Sequence, residues 1–204
     1  YLAVSGLLEL RIGGPGVFPG LPPGIEELSY ANNFKWGASE WNTRPDRPFT
    51  IAPKDDRFRR GMYTFFKRTA AHPNLVNFDC PDANTSCMQR GVSNTPLQAL
   101  QTVNNATFVE AARQWGVQLS QQTGNTEGRL RTAFERCLAR QPTSDELAIL
   151  HELLSEARSY YSAEPAQAQQ LVGVLASAGA ESEQASWILL ARSLLNLDEF
   201  VTRE

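Results

Sequence analysis

The chain has 204 residues, 42% of them hydrophobic, and a formal charge of −3. That apolar content can supply the core of one substantial domain or two small ones, and the negative balance argues against a nucleic-acid surface, which needs net or segregated basic charge to neutralise phosphates. No apolar run approaches the roughly 18 residues of a membrane-spanning helix, so no membrane span is expected.

The opening segment, YLAVSGLLELRIGG, places Leu2, Leu7, Leu8 and Ile12 at apolar positions and predicts a helix over the first dozen residues, ended by Gly13 and Gly14. It starts on Tyr1 with no capping residue, as a helix already under way, so an upstream region of the same polypeptide, or another chain of the same complex, is expected as a partner. From Gly13 to Pro53 the chain is punctuated by runs such as GGPGVFPGLPPG and NTRPDRPF. Each proline removes a backbone donor and restricts its predecessor, which predicts irregular structure. Trp36 and Trp41 are the expected anchors of this long coil on a partner surface.

Residues 59–69, RRGMYTFFKRT, set basic side chains at both ends of an aromatic and apolar run. Alternation over residues 61–66 predicts an extended segment, with Met62, Thr64 and Phe66 on one face and Tyr63 and Phe65 on the other. Both faces need cover, so the favoured reading is a structural junction, with an anion or sugar site as the alternative. Its arginines, Arg60 and Arg68, are suited to bidentate pairing with acids.

From Asn94 onward the helical period is plain. One helix is predicted from Pro96, with proline in the first turn, where its missing N–H does no harm. A second starts near Ala106, with Phe108, Ala112, Trp115 and Leu119 on one face. A third spans Thr126 to Ala139, with Leu130, Ala133, Phe134, Cys137 and Leu138 as a buried stripe. PTSDEL is a capping box, Thr143 with Glu146, that opens a helix bearing Leu147, Leu150, Leu154, Ala157 and Tyr161. A short helix over Glu164 to Val172 and a last one from Ser182 to Leu197, with Trp187, Ile188, Ala191, Leu194 and Leu195 inward, complete the set. The expected fold is mostly α. A bundle of about five helices over residues 94–204 follows a Pro/Gly-rich irregular region with little β structure over residues 1–93.

The chemistry-bearing residues cluster between these regions. Cys80 and Cys87 flank a turn-rich loop, close enough for a disulfide or for half of a metal site, and a disulfide is the expected outcome, while Cys137 on a helical stripe reads as an inert buried thiol. His72, Asp79, Cys80, Asp82 and Cys87 lie close in sequence, but Cys-x6-Cys matches no standard zinc module, and no metal site is expected. Asp79 and Asp82 have the composition for acid and base work on a glycoside, although carboxylates three apart in a loop are more often turn residues. The Cys-x-x-Cys-His string of covalent haem attachment does not occur, so no haem is expected in this chain.

Taken together, RRGMYTFFKRT, FDCPD, SNTPLQALQTVNNATFVEAAR, RQPTSDEL and SLLNLDEFVTRE resemble the planctomycete-specific C-terminal domain of unknown function 1553 (PSD-type) over Tyr1 to Glu204. The resemblance implies an exported protein, periplasmic or extracellular, in which the domain follows upstream domains that often include a cytochrome c-like haem domain. It brings no catalytic residues. It leaves a non-catalytic structural or interaction module as the expected function, and part of an extracellular enzyme acting on polysaccharide as the alternative. The chain departs from the pattern at Arg90, where one arginine stands in place of a pair. The ligand or anion candidates are therefore Arg60, Arg68, His72, Asp79, Asp82 and Arg90.

Overall fold

A computed structural model describes residues 1–17, 19, 43–44, 47–48, 56–66, 71–81, 85–89 and 91–202. Two compact units divide the chain, one made of Tyr1–Leu7 with Ala99–Glu204 and the other of Leu8–Gln98. In chain order the elements are α1 (Leu2–Ser5), the antiparallel pair β1 (Thr43–Arg44) and β2 (Arg47–Pro48), α2 (Pro73–Val76), α3 (Pro96–Asn104), α4 (Ala106–Gln121), α5 (Thr126–Leu138), α6 (Ser144–Ala163), α7 (Pro165–Val172), α8 (Glu181–Leu195) and α9 (Asp198–Val201). The fold is mostly α.

The helical unit is built around α8, which packs on α4, α6 and α7. The central contact, α4 on α8, depends on Gly116: a Cβ there would lie 2.5 Å from the Ile188 Cα, so only hydrogen lets the two backbones approach this closely. Trp115 and Trp187 are fully buried in one core with Leu119, Leu130, Phe134, Leu154 and Leu194. A second core joins Val117, Ala157, Tyr161, Ala168, Val172, Ala185 and Ile188. The apolar stripes predicted for α4, α5, α6 and α8 form these interiors. Burial raises the Cys137 thiol pKa to about 12, so this cysteine is a thiol at neutral pH, as expected for a core residue.

Capping explains where these helices start. The Asn125 side chain accepts from the Gly128 N–H at 2.8 Å ahead of α5. Thr143 and Glu146 form the expected capping box ahead of α6, with Thr143 N–H to Glu146 Oε2 at 2.7 Å and Glu146 N–H to Thr143 Oγ1 at 3.3 Å. Arg158 on α6 grips Glu183 on α8 through two bonds of 2.7 and 2.6 Å, and Trp187 Nε1 donates to the same carboxylate at 2.7 Å.

The opening helix is shorter than its apolar pattern predicts. α1 ends at Ser5 because Gly6 turns into the left-handed region (φ 74) and its N–H bonds back to the Ala3 carbonyl. Past that point Glu9 forms a parallel bridge with Arg59, and Leu10 and Ile12 are 63% and 80% exposed rather than helical core positions. The extended segment expected over residues 61–66 is also corrected. Gly61–Tyr63 is a 3-10 turn closed by Thr64 N–H to the Gly61 carbonyl, and only Thr64 bridges, to Val17. Trp36 and Trp41 lie outside the described residues.

Candidate functional site

In the Leu8–Gln98 unit, two polar constellations gather the residues of the motif-bearing segments. The first centres on Arg59. Glu9 N–H donates to the Phe58 carbonyl at 3.0 Å, Val17 N–H to Tyr63 at 2.7 Å, and Phe65 N–H to Val17 at 2.8 Å, which lays the Gly13–Gly14–Pro15 loop along the RRGMYTFF segment. Arg59, 4% exposed, fills the loop. Its Nη1 donates to the Pro15 carbonyl at 3.1 Å, and its Nη2 donates to the carbonyls of Arg11, at 3.2 Å, and Gly13. The guanidinium stacks 3.7 Å from the Tyr63 ring centroid, and the Tyr63 hydroxyl accepts the Gly13 N–H at 2.8 Å. Gly13 and Gly14, at φ 81 and 88, supply the left-handed backbone that turns these carbonyls inward.

Among the described residues no carboxylate pairs with Arg59. Carbonyl dipoles and the aromatic face hold the cation instead, and this compensates part of the cost of removing it from water. Arg59, rather than its neighbour Arg60, is the side chain that fills this loop. Arg60 is exposed and stands at the N-cap of the 3-10 turn.

The second constellation ends α2 and starts α3. His72 is buried, and its Nδ1 accepts the Asn74 N–H at 3.2 Å, which makes it the N-cap of α2. The turn that follows this helix closes on Asp79, held at φ 57, with Cys80 N–H bonded to the Leu75 carbonyl at 3.0 Å and Asp79 N–H to the Val76 carbonyl at 3.2 Å. Those two bonds are the Schellman closure, with aspartate in the position that usually takes glycine.

The Asp79 carboxylate accepts the Ser93 N–H at 2.8 Å and faces the Ser93 hydroxyl at 2.9 Å. Gln98, 2% exposed, completes the knot. Its Nε2 donates to the Asn77 carbonyl at 2.8 Å and to Ser93 Oγ at 3.0 Å, while its Oε1 accepts the Thr95 N–H at 3.0 Å. Gln98 N–H returns to Thr95 Oγ1 at 3.3 Å, so Thr95 and Gln98 form a capping box for α3.

The arrangement ties backbone to backbone. Asp79 is committed to Ser93 and His72 to a helix cap, and among the described residues no group of three or more His, Cys, Asp or Glu gathers as a metal-binding cluster. The expected disulfide is corrected: Cys80 and Cys87 are both free thiols. The Cys80 backbone is fixed in the α2 closure, and Cys87, exposed, directs Sγ to the Gln89 carbonyl at 3.2 Å. Arg68, Asp82 and Arg90 lie outside the described residues.

Sequence reasoning missed Arg59, Ser93 and Gln98. Gln98 carries a readable signal, since Thr-x-x-Gln ahead of an apolar run is a capping box. Arg59 has only an indirect one, in the carbonyl-rich Gly-Gly-Pro loop that needs a donor.

Residues 1–154, which include both constellations and the Thr143 capping box, match the family model described as "Protein of unknown function (DUF1553)". The chain belongs to this family. The match stops inside α6, so α7, α8 and α9 lie beyond the matched stretch of this DUF1553 chain. No curated protein and no solved structure matches the chain. Among the described residues no helix is long and apolar enough to cross a membrane.

Proposed function

We propose that this DUF1553 chain is a non-catalytic structural or interaction module of a larger exported, cytochrome-linked protein of the planctomycete type. It packs on an upstream region of the same polypeptide, and any haem resides in that upstream region. The supporting observation is how its polar motif residues are used: Asp79, Ser93 and Gln98 satisfy one another and the backbone, which commits them to holding the chain between α2 and α3.

The parent polypeptide provides the test. With Arg60, Arg68, His72, Asp82 and Arg90 each replaced by alanine, polysaccharide binding and cleavage by the intact parent should be unchanged wherever circular dichroism shows a native fold. Loss of cleavage in a natively folded variant would sink the proposal and favour the alternative, a polysaccharide-acting site shared with the upstream region.

A further inference from the structure

Ala139 closes α5 in the left-handed conformation, φ 56, and delivers Arg140 to the turn before α6. There the guanidinium makes five hydrogen bonds. Nε and Nη2 donate to the two carboxylate oxygens of Glu199 at 2.8 and 2.7 Å. Nη1 and Nη2 donate to those of Glu146 at 3.0 and 2.7 Å, and Nη1 also reaches the Gln141 carbonyl at 3.3 Å. An arginine has five N–H donors, so its capacity is full. The cation also lies 4.8 Å from the centre of the Phe134 ring.

The two carboxylates differ in what holds them. Glu146 is fixed by the α6 capping box, whereas Glu199 belongs to α9, a single turn of four residues. One turn has too few hydrogen bonds to persist alone. Nor does α9 continue α8: Leu197 between them is extended, at φ −65 and ψ 140. Phe200, edge-on to the Tyr1 ring at 5.1 Å and packed against the core, and the Arg140 bonds to Glu199 tie α9 to the bundle. Tyr1 in turn packs on Phe108 at 4.5 Å.

We propose that α9 is a strap that opens and recloses independently of the helical bundle, and that the Arg140 clasp on Glu199 holds it shut. Opening withdraws Phe200 from Tyr1 and bares an apolar slot beside Tyr1 and Phe108. The device acts locally, because the Arg140 bonds to Glu146 and the α6 cap survive when Glu199 leaves.

Amide hydrogen exchange on the 204-residue chain reads this directly. The strap amides are those of Phe200, Val201 and Thr202, bonded to the carbonyls of Leu197, Leu197 and Asp198. Glu199→Gln removes only the strap's side of the clasp. It should speed exchange at these amides by about three- to tenfold while Leu190 and Ala191 in α8 stay unchanged. Phe200→Ala should act on the same amides through the other anchor. The proposal is overturned by unchanged rates at Phe200, Val201 and Thr202 in Glu199→Gln. It is equally overturned if those amides exchange in step with α8, since the strap would then open only when the whole unit unfolds.

Discussion

Asp79 and Ser93 are joined through both donors of the serine, its backbone N–H at 2.8 Å and its hydroxyl at 2.9 Å. The carboxylate sits on a residue already held at φ 57, so the Asp79 backbone closes the turn after α2 while its side chain captures the chain leading into α3. Few residue types combine tolerance of the left-handed region with acceptors short enough to bond nearby backbone. Asp79 meets both requirements.

A substitution series separates its two roles. Asp79→Ala loses the acceptors and places a Cβ residue without local compensation at positive φ, and should destabilise by about 2–3 kcal/mol. Asp79→Gly relieves the backbone and should recover roughly 1 kcal/mol of that loss. Urea unfolding measures both. Equal destabilisation by alanine and glycine would show that backbone strain contributes nothing at this position.

Arg59 is the second test of the structural reading. Arg59→Lys keeps the charge but cannot bond the Gly13, Pro15 and Arg11 carbonyls while lying flat on Tyr63. A loss of about 2–4 kcal/mol is expected, with faster amide exchange at Gly13, whose N–H is bonded to Tyr63. Arg60→Lys, at an exposed neighbour, should stay within about 0.5 kcal/mol of the parent.

Those adjacent arginines show where sequence legibility ends. The helices could be read because Leu130, Ala133, Phe134 and Cys137 repeat at helical spacing and Thr143 with Glu146 marks a start, which are local signals. Which of Arg59 and Arg60 turns inward depends on the bridge to Glu9, a partner far away in sequence. The alternating strand expected over residues 61–66 gives way to a turn closed locally, by Tyr63 N–H to the Arg60 carbonyl and Thr64 N–H to the Gly61 carbonyl. The first helix is shorter than its apolar spacing implies, because that spacing continues past Gly6, where the backbone has already reversed. Asp79 stands out in the sequence for its acidity, yet its role is fixed by Ser93 returning beside it, which a Pro- and Cys-bearing loop does not announce.

The close crossing of α4 and α8 yields a sharper stability prediction. In Gly116→Ala the new methyl would lie 2.5 Å from Ile188 Cα and 2.6 Å from its backbone N, so a helix axis must shift rather than a side chain rotate. Destabilisation of about 3 kcal/mol is expected, at the upper end for overpacking. Gly91→Ala, with nothing within 4 Å, should be close to neutral by the same thermal-unfolding measurement.

The thiols should divide by exposure. Cys87 is exposed and free, so it should react with a maleimide in the native chain. Cys137 is buried and its thiolate is disfavoured up to about pH 12, so it should label only on unfolding. Mass spectrometry of labelled peptides checks both, and native labelling of Cys137 would contradict the packed core.

Acid stability follows from the carboxylates around arginine. The Arg140 guanidinium, helped by the Thr143 cap, holds the Glu146 carboxyl at about 2, below its ordinary value of 4.5, and the same arginine lowers Glu199. Arg158, through its two bonds, lowers Glu183 on α8. In each case the unfolded chain binds a proton more readily than the folded one, so stability rises with pH across this window. The contribution is complete above the ordinary carboxylate range and is lost as pH falls from there toward about 2. Melting temperature should therefore be level with respect to these groups near neutrality and fall steadily below about pH 5. Glu146→Gln should lower the melting temperature at pH 7 and flatten the acid slope, because the substituted side chain has no proton to gain. A slope identical to that of the parent chain would show that the Arg140 contacts do not persist in solution.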